Sequence, residues 1–157
     1  MYLFDIIVET PKGYSEKFNF DKKMGLFRLK KLLPIGMVFP FDFGYIPDTL
    51  GQDGDPLDAL LLSEIKSFPG CLMECRLLGG MICEQKSNGK TIRNDRFLFV
   101  PVESKQFVSN KRMEDIDQTI MNELISFFIQ YNLLEGKEFR VLELVEDEEA
   151  SLLIKKH

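Results

Sequence analysis

Helical periodicity is confined to the part of this chain beyond about residue 115, and short strand-like runs broken by turn residues fill everything before it. That division constrains the fold more than any other feature. "LFDIIVE" is rich in β-branched residues. "EKFNFD" alternates Phe18 and Phe20 with Lys17, Asn19 and Asp21, as a half-buried strand does. "LDALLLS" is a continuous apolar run, the pattern of a strand buried on both faces. "CLMECRLLGGMICE" reads as one long strand or a pair, with Gly79-Gly80 marking a bulge or bend. Asn88-Gly89 predicts a hairpin turn, "RFLFVPV" the returning strand, and "EFRVLEL" a further alternating one. Helical spacing then links Ile116, Ile120, Leu124, Phe127, Phe128 and Tyr131, with Asp115 or Asp117 as the N-cap and Gly136 just past the end. "DEEASLLIKK" sets acids in its first turn and lysines in its last, complementing a helix dipole. Many short strands and two late helices predict an α+β, mainly β fold: a closed or partly closed barrel with both helices packed outside.

No repeat, low-complexity segment or linker divides residues 1–157, so one domain is expected. The net charge of −5 argues against a nucleic-acid surface. No apolar run approaches the ~18 residues of a membrane span, so no membrane partner is expected. The opening "MYLFDIIVETP" carries Asp5 and Glu9 and no basic segment, which reads as a strand rather than a signal peptide and points to the cytoplasm. Cys71, Cys75 and Cys83 lack the close pairing of a zinc site and read as small apolar residues in a reducing compartment. The only histidine is His157, which removes Ser/His/Asp and Cys/His catalysis and leaves acid–base work to Asp, Glu, Lys, Tyr or water.

In "DTLGQDGDPLDALLL", residues 48–62, Asp53, Asp55 and Asp58 crowd together before an apolar run. Like charges so close are either solvated or held by a cation. Gly54 and Pro56 suit a tight, stiff loop; Asp53 and Asp55 would share a face if extended, and Asp58 would be fixed by the strand it opens. Hard oxygens from a loop and a strand suit Mg²⁺. An EF-hand does not fit, because Leu57 and Asp58 stand at its fifth and sixth positions.

The wider stretch "FPFDFGYIPDTLGQDGDPLDALLL", residues 39–62, closely resembles the signature region of the soluble family I inorganic pyrophosphatases. The likeness extends through "VETPKGYSEKFNFD" upstream, and through "FVPV" and "SFFIQYNLLEGKEFRV" downstream, over about residues 5–150. The resemblance implies a five-stranded OB-like barrel and Mg²⁺-dependent hydrolysis of pyrophosphate to two phosphates, with Mn²⁺ as a second candidate ion. It also implies a homo-oligomer, a hexamer or smaller. Carried over by motif position, Asp53 and Asp58 are metal ligands, Asp55 binds metal and accepts the water's proton, and Glu9 is an active-site carboxylate. Lys17 and Tyr131 hold phosphate, and Glu84 is a further acidic position.

Several positions depart from the family pattern. Lys31 replaces an Arg and Arg96 a Lys, keeping charge at two substrate-binding positions, while Phe43 loses a hydroxyl. Asn19, Cys83 and Asn94 stand where carboxylates are expected, and Asn132 where a Lys is expected. Asp95 would replace Asn94 as a metal ligand only if a bulge re-aimed it. A site with fewer negative ligands should hold fewer metals. The expectation is therefore weakened pyrophosphatase activity; the alternatives are a binding module without turnover, or hydrolysis of another phosphoanhydride.

Overall fold

The computed structural model describes residues Met1–His157. Five strands form the frame: β1 (Leu3–Thr10), β4 (Asp42–Tyr45), β5 (Asp58–Leu61), β6 (Leu72–Ser87) and β8 (Arg96–Pro101). They pair in the order β1-β4-β5-β8-β6, and β6 pairs back onto β1, so the pairings close a ring. All contacts in it are antiparallel except β5 on β8. β7 (Lys90–Arg93) and β9 (Glu138–Glu146) extend the sheet from β6, while β2 (Glu16–Asp21) and β3 (Leu26–Leu32) form a separate hairpin.

Alternation explains why β5 and β8 are apolar beyond their first residues, Asp58 and Arg96. Leu60, Leu62, Leu98 and Val100 join a cluster with Met121, Leu124 and Phe128 of α1 (Gln118–Leu134). Their neighbours Ala59, Leu61, Phe97 and Phe99 join Ile6, Val8, Cys75 and Leu77, together with Ala150 and Ile154 of α2 (Asp147–Lys155). A strand buried on both faces, against the α1 cluster on one and the α2 cluster on the other, has no polar side to display.

β6 is a single strand. It pairs with β1 over Leu72–Arg76 and with β9 over Gly79–Lys86, and the register against β8 shifts between Leu77 and Gly79. A Cβ on Gly79 would lie 2.2 Å from the Val145 carbonyl oxygen, so this bend requires glycine. Asn88 (φ 53°) and Gly89 (φ 77°) make the hairpin turn into β7, both with the positive φ of a type I′ turn. The Asp117 carboxylate accepts the Thr119 N–H at 2.7 Å and caps α1. Ile116 lies outside the helix, extended and buried in the α1 core, so its helical spacing was coincidental. β3 and β4 carried no clear signal: β3 is mostly exposed and β4 has four residues. No helix is long and apolar enough to cross a membrane.

Candidate active site

The acidic loop leads out of β4 and into β5. Gly51 donates its N–H to the Asp55 carbonyl oxygen at 2.7 Å, the Asp55 N–H donates to Asp53 Oδ1 at 3.0 Å, and Gly54 adopts φ 87°. Asp53 and Asp55 therefore sit on a tight turn, not the extended segment their spacing suggested. The Thr49 hydroxyl anchors the exit, donating to the Ile46 carbonyl (2.6 Å) and accepting the Leu57 N–H (2.9 Å). Asp58 is the first residue of β5 and lies in register with Tyr45 of β4 and Arg96 of β8.

That register sets the site's central charge pair. Arg96 Nη2 lies 3.7 Å from Asp58 Oδ2, and the guanidinium packs against the adjacent rings of Phe128 (4.6 Å) and Phe139 (4.8 Å). Its Nη1 donates to the Asn94 carbonyl at 2.6 Å, while its buried Nε has no partner. Burial pushes the Asp58 carboxyl up to about 6; Arg96 opposes this, and Asp53 and Asp55 add to it.

Glu9 closes the other side from β1, where Oε2 accepts the Phe20 N–H at 3.3 Å. Burial pushes its carboxyl up to about 7, with Asp58 adding, against the Phe20 bond and Lys17. The β2–β3 hairpin places Lys17 opposite Lys31. Burial, then Lys30, pulls the Lys17 ammonium below its ordinary value against the pull of Glu135, Asp58 and Glu9. The Lys17 Nζ lies 5.8 Å from the Phe43 ring and 5.1 Å from the Tyr131 ring, and Lys31 Nζ lies 4.4 Å from Tyr131. The Tyr131 hydroxyl is buried without a hydrogen-bond partner.

Glu9, Lys17, Asp53, Asp55, Asp58, Arg96 and Tyr131 thus line one cleft of about 590 Å³. Lys31 stands at its rim, 3.4 Å from Glu135. Two sequence expectations are corrected. Glu84 lies on the other face of β6, paired with Arg140 on β9. Asp95 is not re-aimed: it accepts the Cys83 N–H at 3.0 Å and pairs with Arg93 at 2.6 Å, outside the lining. Asn94 is the residue that lines the cleft.

Cys83 is likewise no cleft residue. It is wholly buried in the α1 core, and its thiol is pushed up to about 12 by burial. Gln85, two residues on and on the same face, reaches the cleft and donates from Nε2 to Asn132 Oδ1 at 2.8 Å. Period two puts Gln85 on the Cys83 face, but the rule alone does not say how far along the strand the core ends. Glu135 and Lys137, also in the lining, had no sequence signal.

The donor set fits a hard divalent cation. Six carboxylates line the cleft, Glu9, Asp48, Asp53, Asp55, Asp58 and Glu135, and two of them, Glu9 and Asp58, are held well above their ordinary pKa values, chiefly by burial and in part by neighbouring carboxylates. As they stand, no three metal-ligating side chains converge on one point. The turn at Gly54 carries Asp53 and Asp55 on exposed loop positions.

A family model described as inorganic pyrophosphatase matches residues 6–157. The inorganic pyrophosphatase of Geobacillus stearothermophilus is 34% identical over 141 residues, which span 88% of this chain and 82% of that one. The solved inorganic pyrophosphatase of Thermus thermophilus superposes with a TM-score of 0.88 at 28% identity, covering 98% of this chain and 87% of that one. That of Coxiella burnetii gives 0.88 at 31% identity, covering 98% and 92%.

Proposed function

The chain belongs to the inorganic pyrophosphatase family, and on that premise we propose that its cleft hydrolyses pyrophosphate to two phosphates with weakened metal support. The observation that carries this is the joint placement of Asp53, Asp55, Asp58 and Glu9 with Lys17, Arg96 and Tyr131 along one cleft. Asp53, Asp55 and Asp58 would hold Mg²⁺, or Mn²⁺, which shares its preference for hard oxygen ligands. The ion would supply a lowered water pKa and charge neutralisation on the phosphates. Asp55 takes the proton of the attacking water. The water oxygen bonds to one phosphorus as the bridging P–O bond breaks, and the second phosphate leaves with the bridging oxygen. Lys17, Lys31, Arg96 and the Tyr131 hydroxyl hold the two phosphates, and the cations offset negative charge that water no longer screens. Glu9, with its raised carboxyl pKa, exchanges protons beside Asp58.

Asn19, Gln85, Asn94 and Asn132 line the same cleft as neutral amides. They bring no charge to hold further cations, so this site takes fewer metals than one lined with acids. The same amides favour a second reading, anion binding without turnover. Phosphate release from pyrophosphate, followed across Mg²⁺ and Mn²⁺ titrations beside D55N, separates the two. Release above that control supports hydrolysis; its absence with retained phosphate binding supports the binder. A parallel arm with a nucleoside triphosphate tests a broader phosphoanhydride range. The protein works as a homo-oligomer of up to six copies in the cytoplasm, a reading checked by sedimentation and by fractionation.

A further inference from the structure

The cationic end of the cleft already contains an anion of the protein's own. Glu135 is the residue that ends α1, and its Oε1 lies 3.4 Å from Lys31 Nζ. A helix C-terminus is the negative end of the helix dipole, a poor place for a carboxylate unless cations hold it there. Three do. Burial pushes the Glu135 carboxyl up, yet Lys31, Lys17 and Lys137 together bring it below its ordinary value. Lys17 and Lys31 both approach the Tyr131 ring, and the buried Tyr131 hydroxyl faces the Glu135 carboxylate without making a hydrogen bond of ordinary geometry to it or to any other group. Ammonium groups and an idle hydroxyl around one carboxylate have the chemistry of a phosphate subsite occupied by an internal substitute.

We propose that Glu135 is a displaceable counter-ion, a positioning residue that occupies the Lys17–Lys31–Tyr131 subsite while the cleft is empty and gives way when a phosphate enters. The proposal rests on the reading of this cleft as a pyrophosphate site. Glu135 keeps the lysines gathered without a ligand, and competition from its carboxylate weakens binding of substrate and product alike. Release of phosphate is thereby made faster at the cost of affinity.

The test is E135Q in the full chain, with inorganic phosphate as the probe, measured by calorimetry at fixed Mg²⁺. The variant should bind phosphate roughly five- to tenfold tighter, show a lower KM for pyrophosphate, and be more strongly inhibited by product. E135D, which keeps the charge, should bind phosphate within about twofold of the wild type. A purely structural role would instead lower the melting temperature and leave phosphate affinity unchanged. Unchanged or weaker phosphate binding by E135Q overturns the proposal. If the wild type hydrolyses pyrophosphate and E135Q binds phosphate no tighter, the counter-ion role fails and the hydrolase reading stands. If E135Q binds tighter while the wild type shows no hydrolysis, the counter-ion role stands and the hydrolase reading fails.

Discussion

Replacing Asp58 by Asn should make the metal-free protein more stable at neutral pH, although it removes one partner of a buried charge pair. Burial, opposed by Arg96 and aided by Asp53 and Asp55, moves the Asp58 carboxyl from 3.8 to about 6. At about 1.4 kcal/mol per pH unit, that gap is worth about 3 kcal/mol. The sign follows from proton counting. Between about pH 4 and pH 6 the folded chain keeps a proton that the unfolded chain has released, so stability falls as pH rises through that window and then levels. Asn resembles the protonated acid and escapes the loss. In chelator at pH 8, D58N should therefore melt roughly 6–12 °C above the wild type, taking about 2–4 °C per kcal/mol for a chain of this size. Glu9 reinforces the effect, because Asp58 helps to hold its carboxyl near 7. Excess Mg²⁺ should narrow or invert the order, since a cation stabilises the charged acid and not the amide. Thermal unfolding of both proteins, in chelator and in Mg²⁺, at pH 4.5, 6.5 and 8, measures all of this. A D58N that melts at or below the wild type in chelator at pH 8 would refute the reasoning, as would a wild type whose stability does not fall between pH 4.5 and 6.5.

Asn94→Asp adds a carboxylate to the cleft lining beside Arg96. Mn²⁺ affinity by equilibrium dialysis should rise roughly tenfold, with higher phosphate release, and an unchanged affinity would argue against a metal role for that position. Gly44→Ala would place a Cβ 2.1 Å from the Ile7 carbonyl oxygen at the β1–β4 contact. It should cost more than about 3 kcal/mol in urea unfolding, and a near-wild-type result would contradict the close strand approach. Cys75 and Cys83 are fully buried with thiols pushed up by burial, and Cys71 is half-buried. A thiol reagent at pH 8 should promptly label Cys71 alone in the native protein and all three after denaturation; rapid labelling of a second thiol would contradict the core packing.

Period-two alternation and turn chemistry carried most of the strand reading, because both are local. Asn88-Gly89 dictates its hairpin, and Asp117 caps α1, with no help from the rest of the chain. β3 was not legible: Leu26, Leu29 and Leu32 are exposed, so neither face shows a buried pattern. The motif "DGDPLD" likewise identified the three aspartates and the family from residues adjacent in sequence. Glu84 and Asp95 were misplaced because their roles depend on where a long strand passes from core to cleft. That passage is set by contacts distant in sequence: Asp95 is held by the Cys83 N–H, and Glu84 by Arg140.

The sequence by itself thus determined which segments extend, which coil, and that three carboxylates stand close together in the chain where a buried strand begins. Backbone preference and side-chain alternation act over a few residues and need no partner. Only the tertiary structure decided that Gln85 rather than Cys83 faces the cleft, that Arg96 stands against Asp58 across a parallel pair, and that Glu135 meets Lys17 and Lys31. Those are distances between residues far apart in the chain, and burial and Coulomb energy depend on distance in space.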